Sequence, residues 1–155
     1  MPQQVANGVE TTEGAALMLG ELLAGAAWDG AKMHLFQSSF APTPASNAAA
    51  FAEAEADFTG YAPAALTYSG QGIDASGTPT AITDRVFFQA TDGVTPNTIG
   101  GCWIEYDSMA TPPVDTSLEY YIFPTPVPMV SAGAFCGVVV GVQLPQSDGY
   151  AIVDY

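Results

Sequence analysis

The sequence predicts a mainly β fold: an antiparallel β-sandwich or barrel-like domain with one short N-terminal α-helix. First, most of the chain after residue 60 consists of short segments rich in β-branched and aromatic residues. Second, turn-forming pairs such as Ser76-Gly77 and Asp92-Gly93 separate these segments. Third, 155 residues with 48% hydrophobic side chains match one compact domain with a sizeable core.

The N-terminal thirty residues are predicted to form an arm and a helix, followed by a β domain over residues 31–155. Residues 1–10 are polar and read as an unstructured arm, and Thr11 or Thr12 can cap a helix. The helix either docks on a neighbouring chain or covers a sheet of its own domain. Its apolar face has helical spacing and consists of Ala15, Leu19, Leu22, Leu23 and Ala26.

The first part of the β domain alternates strand and loop signals. KMHLFQSS reads as a strand, and Pro42 and Pro44 make the following segment an extended loop. Residues 47–61 fit either a helical turn or a strand, and their alternation favours a strand that leads into Gly60.

The later segments all predict strands. They are APAALTYSG, TAITDRVFFQA, TIGGCWIEYDS, SLEYYIFP, SAGAFCGVVVGVQLP and YAIVDY. Pro124, Pro126 and Pro128 alternate, and proline cannot donate to a β-ladder. That segment is therefore expected to be an edge strand or an extended arm.

The charge balance excludes two classes of partner. The chain has 16 acidic residues against only Lys32 and Arg85, which gives a net charge of -14. It cannot neutralise a run of phosphates, and an anionic membrane would repel it, so neither nucleic acid nor membrane is expected. Charged residues make up 12%, about half of the usual ~25%. Depletion of charge is typical of interface cores and favours an oligomer or an assembly component.

No targeting or membrane-spanning segment is predicted. The N-terminus lacks the basic region of a signal peptide. The apolar stretch AALMLGELLAGAAW is too short to cross a bilayer and contains Glu21.

Few residues carry catalytic or ligand-binding chemistry. The single histidine, His34, lies inside a strand and is predicted to be structural, so no enzyme activity is expected. Cys102 and Cys136 lie in apolar strands and are predicted to be buried free thiols rather than a disulfide. Neither zinc spacing nor a phosphate-binding glycine motif occurs, so no cofactor is expected.

The acidic and aromatic clusters have alternative interpretations. Glu53, Glu55 and Asp57 form an acidic stripe that reads as a solvated face, with a carboxylate pair for catalysis or a Ca²⁺ site as the alternatives. The aromatic residues around Tyr120-Tyr121 are expected in the core, with a sugar-stacking platform as the alternative.

Several motifs resemble those of small proteins encoded in the structural gene clusters of tailed bacteriophages. The matching elements of the first half are Leu35-Phe36, Pro42-Thr43-Pro44, Glu55-Ala56-Asp57-Phe58 and Gly60-Tyr61. TPNTIGGCWIEYDS and FPTPVPMVSAGAFCGVVVGVQL resemble the later strand and the closing segment, so that the resemblance covers most of residues 10–145. It implies a virion component without catalytic residues.

The resemblance and the composition together lead to one expected role. This is a non-enzymatic structural protein of a phage virion, made in the host cytoplasm and present in many copies as a capsid decoration protein. Its expected partners are its own copies and other virion proteins such as the major capsid protein, held by apolar contacts and by strand addition. The alternatives are a tail, neck or fibre component, or a carbohydrate-binding β-sandwich module. The candidate interface residues are Val9, Leu19, Leu22, Leu23, Phe123, Pro124, Pro126, Pro128, Met129 and Val130.

Overall fold

The computed structural model describes residues 2–14, 31–73, 79–107, 115–143 and 150–155. These residues form ten strands, one complete helix, α1, at Ala48–Glu53, and the first turn of another at residues 12–14. The strands are β1 Gln3–Glu10, β2 Lys32–Gln37, β3 Ala64–Ala65, β4 Tyr68–Ile73, β5 Pro79–Thr83, β6 Val86–Gln89, β7 Asn97–Asp107, β8 Asp115–Met129, β9 Phe135–Gln143 and β10 Tyr150–Asp154.

All ten strands belong to one antiparallel sheet that curls into a half-barrel. The order is β3-β2-β7-β8-β1-β10-β9-β5-β4, and β6 pairs with β9 beside this path. The predicted mainly β, antiparallel class is confirmed. The two edge strands of the curled sheet are β3 and β4, and only Leu66 and Thr67 separate them in the sequence. The amide of Leu66 donates to Ala31 O (2.9 Å), and the amide of Asp84 donates to Thr67 O (2.7 Å).

Strand β1 corrects the prediction of an unstructured N-terminal arm. Gln3–Asn7 pair with β10, and Gly8–Glu10 then pair with β8, so β1 joins the two halves of the sheet. Its inward positions are Ala6 and Gly8, which are too small to give the apolar alternation of an ordinary strand. The N-terminal segment is therefore a central part of the β domain.

The predicted N-terminal helix falls almost wholly on residues 15–30, which lie outside the described residues. Residues 12–14 are helical, and Thr11 Oγ1 accepts a hydrogen bond from Gly14 N (2.9 Å), as expected of a capping residue. The whole predicted apolar face, including Leu19, Leu22 and Leu23, therefore lies outside the described residues.

Helix α1 replaces the strand predicted for residues 47–61. Asn47 caps it, because its side chain accepts a hydrogen bond from Ala50 N (3.0 Å). Glu13 accepts a further hydrogen bond from Ala48 N (2.8 Å), so the N-terminal segment is tied to the start of α1. Alanine-rich sequence and an asparagine cap outweigh the weak alternation of the segment.

The core has two parts, one on each face of the sheet. The concave face packs residues such as Leu35, Cys102 and Tyr121 into the larger cluster. On the convex face, α1 places Phe51 among Phe36, Trp103 and Tyr120 in what we call the outer aromatic cluster.

Asn97 ties the segment after α1 to strand β7. Its Oδ1 accepts hydrogen bonds from Asp57 N (2.8 Å) and Phe58 N (3.1 Å), and its Nδ2 donates to Asp57 Oδ1 (2.8 Å). We expect Asn97→Ala to lower the free energy of unfolding by about 2 kcal/mol, because two amides lose their acceptor. Urea denaturation measures this, with the exposed Asn7→Ala as the matched control. A loss no greater than that of the control would contradict the prediction.

Candidate functional site

The predicted interface residues fall into four groups. Pro124, Pro126, Pro128 and Val130 are exposed. Phe123 and Met129 are buried in the core of the chain itself, so their prediction as contact residues is corrected: alternation along β8 turns their side chains to the concave face. Val9 is half-buried against the outer aromatic cluster, and the leucines of the predicted helix lie outside the described residues.

The exposed residues lie on one continuous surface, the convex face of β1 and β8. Gly8 is opposite Tyr121 in the ladder and both are buried, so the alternate residues of the two strands point outwards together. Val5 is 56% exposed, Ile122 49% and Val130 51%. We call the surface formed by Val5, Ile122, Pro124, Pro126, Pro128 and Val130 the proline face.

Strands β10 and β9 extend the apolar surface sideways. Val5 is opposite Ile152, and Ile152 is opposite Val139. Both of these neighbours are partly exposed, so one row of the sheet carries three aliphatic side chains. Val5, Ile122 and Val139 were not predicted as interface residues. Alternation along the strands could have identified them if β1 had been recognised.

The proline face carries no charge. Residues 120–147 contain no charged side chain, nor do residues 1–9. In a chain with 16 acidic residues, the negative charge therefore lies elsewhere. Lack of charge combined with exposed apolar side chains is the composition of an interface core.

The edge of β8 at this face is closed to a further strand. Pairing with β1 covers only Gly8–Glu10, so β8 has no ladder partner on that side near Thr125. The Gln4 side chain takes the partner's place: its Oε1 accepts from Thr125 N and its Nε2 donates to Thr125 O, both at 2.7 Å. Pro124 and Pro126 have no N–H to offer. In the sheet order β8 lies between β7 and β1, so the segment is a locally unpaired margin of an inner strand rather than the predicted edge strand or extended arm. The bonds to Gln4 argue against strand addition at this margin.

A shallow groove adjoins the proline face at the turn between β8 and β9. It has a volume of about 380 Å³ and runs from Val127 and Pro128 to Phe135 and Tyr155. Its described lining contains no charged side chain. The groove extends the uncharged surface and offers a recess for an apolar side chain.

His34 is a buried residue of strand β2 that lies between two carboxylates. It is 6% exposed and stacks on Trp103, with ring centroids 4.5 Å apart. Its Nδ1 lies 2.7 Å from Glu55 Oε1, and its Nε2 lies 3.4 Å from Glu105 Oε1. The Tyr61 hydroxyl donates to the same Glu55 oxygen (2.7 Å).

The electrostatics of this cluster favour a charged imidazolium. Burial alone would lower the pKa of His34, but the Glu105 and Glu55 carboxylates outweigh it and raise the pKa to about 9. Burial would raise the pKa of Glu55, but hydrogen bonds from His34 and Tyr61 hold it below its usual value. Because each ring nitrogen of the imidazolium faces one carboxylate, His34 joins β2 to β7 and to the segment after α1.

The acidic stripe does not form one solvated face. Glu55 bonds to His34, Asp57 bonds to Asn97, and Glu53 is exposed on α1. Within the described ranges, no three acidic, histidine or cysteine side chains are grouped so that they could hold a metal ion.

The cysteines are free and buried, which confirms their prediction as unpaired thiols. Burial raises the pKa of Cys136 to about 12 and raises that of Cys102 as well. Both are therefore protonated packing residues at neutral pH. None of the helices among the described residues is long and apolar enough to cross a membrane.

In comparisons with known proteins, no family model, no curated protein and no solved structure matches this chain.

Proposed function

We propose that the chain is a non-enzymatic structural component of a tailed-bacteriophage virion, and specifically a capsid decoration protein assembled in many copies. The observation that carries the proposal is the uncharged, exposed proline face in a chain with a net charge of -14. The motif resemblance to phage structural proteins is the reason for proposing a phage virion as the assembly. Closure of the curled sheet into a barrel-like or sandwich body belongs to the same proposal.

The distribution of charge suits a protein that covers a particle. The uncharged face would bury apolar area against the major capsid protein or a neighbouring copy. The acidic residues elsewhere on the chain would keep decorated particles apart by like-charge repulsion. The rigid prolines lose little conformational entropy when they are buried, which favours contact through this face.

The test is addition of the purified protein to capsids that lack it, taken from the phage that encodes it. We expect the wild-type chain to sediment with the capsids and to saturate at a fixed number of copies per shell. Ile122→Asp and Val5→Asp should each weaken binding at least about tenfold, because each places a charge in the buried contact. Ala62→Asp adds the same charge to an exposed loop and should bind like the wild type.

Several outcomes would overturn the proposal. A folded wild-type chain that does not bind capsids would reject decoration, and equal binding by Ile122→Asp and Ala62→Asp would reject the proline face. A ring of six or twelve copies in size-exclusion chromatography with light scattering would instead indicate a neck or tail component. A shift by polysaccharide on a native gel would favour the carbohydrate-binding module.

A further inference from the structure

Glu119 is a buried carboxyl at the place where β1 connects the two halves of the sheet. It is 2% exposed and lies directly opposite Glu10 in the ladder. Its Oε1 occupies the space above Gly8, where a β-carbon would collide with it. Among the described residues, this oxygen has no hydrogen-bond donor. The pairing of Gly8–Glu10 with Glu119–Tyr121 is called the β1–β8 seam below.

No basic side chain of this chain is placed to neutralise Glu119. The sequence has only two, and both are accounted for. Lys32 lies on β2, opposite Glu105 and two strands away from β8, and Arg85 pairs with Asp154 (2.6 Å). His34 is held by its own two carboxylates. A proton is therefore the countercharge that this chain provides.

We infer that a proton on Glu119 closes the β1–β8 seam, so that the N-terminal strand is held tightest in acid and is loosened as that proton is lost. Two carboxylates directly opposite each other on neighbouring strands destabilise their pairing when both are ionised. Neutral Glu119 removes this repulsion and the cost of burying a charge. The inference does not depend on the proposed virion role.

The neighbouring groups support this direction of effect. Burial raises the pKa of Glu119 to about 7, a hydrogen bond with Tyr121 lowers it in part, and the charge of Glu10 raises it further. Among the described residues, the titratable groups that face Glu119 are Glu10 on β1, Tyr121 on β8 and Cys102 on β7. None of these carries a positive charge.

The pH range follows from the two states of the carboxyl. In the open seam Glu119 has its ordinary pKa of 4.5, and in the closed seam it has a pKa of about 7. The stabilisation of the seam is therefore complete below about pH 4.5, is lost progressively as pH rises to about 7, and is constant above that.

The experiment is amide hydrogen exchange followed by NMR between pH 4 and 8, with rates expressed as protection factors. For the wild type, we expect protection of the seam amides to fall on the order of tenfold per pH unit between about 4.5 and 7. Amides of Val138–Val140 in β9 should keep constant protection over that range. Parallel loss at both places would mean that Glu119 acts on the whole fold, which would overturn a local seam.

Variants separate the carboxyl from other causes. Glu119→Gln should keep the seam protected at all these pH values, whereas the exposed Glu53→Gln should behave like the wild type. Glu10→Gln should lower the midpoint of the wild-type transition, because the facing charge is gone. The Glu119 carboxyl carbon should titrate near pH 7 in wild-type protein, which does not require any variant to fold. A midpoint near 4.5, or an unchanged pH response in Glu119→Gln, would overturn the inference.

Discussion

Replacing Phe51 with alanine is expected to lower the free energy of unfolding by about 4 kcal/mol. Phe51 is completely buried and is the larger of the two buried side chains of α1. Its ring centroid lies 5.2 Å from that of Trp103, 5.3 Å from Phe40 and 5.6 Å from Tyr120. The substitution removes a large apolar side chain and leaves a cavity among rings that cannot close over it.

Urea denaturation at fixed pH measures this loss. Ala52→Gly is the matched control, because Ala52 is exposed on the same helix and the change costs about 1 kcal/mol through helix propensity alone. If Phe51→Ala lost no more than the control, the helix would not be held to the sheet by this side chain.

His34→Gln is expected to remove about 3 kcal/mol of stability at pH 6 and to remove most of the pH dependence between 6.5 and 9. The pKa of His34 rises from 6.5 to about 9 on folding, so the folded state binds the proton more tightly. Protonated His34 therefore contributes its full stabilisation of the folded state below pH 6.5, and this contribution is lost as the pH rises through about 9. Glutamine still fills most of the space beside Trp103 but cannot carry the charge.

Thermal denaturation from pH 6 to 9.5 tests this expectation. The wild type should lose stability across the range, and the variant should follow a flatter curve. Lys32→Gln is the control, since it removes a positive charge from the same strand at an exposed position. A wild-type curve that is flat between pH 6.5 and 9 would contradict a charged His34. The Glu119 transition ends at about pH 7, so the part of the curve above pH 7 reports on His34 rather than on Glu119.

Most of the sheet could be predicted from sequence because its strands follow ordinary rules. β7, β8 and β9 are long, rich in β-branched and aromatic residues, and bounded by turn residues. The burial of the cysteines followed from their positions inside such strands, and His34 lies in a strand as predicted.

The failures have identifiable physical causes. β1 was missed because Ala6 and Gly8 fill its inward positions, and such small residues give no apolar alternation. α1 was read as a strand because Glu53, Glu55 and Asp57 alternate, although Asn47 supplies a helix cap. Phe123 and Met129 were grouped with the prolines because sequence proximity does not reveal which face of β8 a side chain occupies.

The Gln4 amide that occupies the backbone of Thr125 has a consequence for how densely this protein can accumulate. Unprotected strand margins of neighbouring molecules can zip into fibres at high concentration. The Gln4 carboxamide occupies the backbone groups of Thr125, between two prolines, and so prevents such pairing there. The aliphatic side chains beside it stay exposed. The Gln4 side chain thus protects this stretch of β8 from edge-to-edge pairing with a neighbouring molecule.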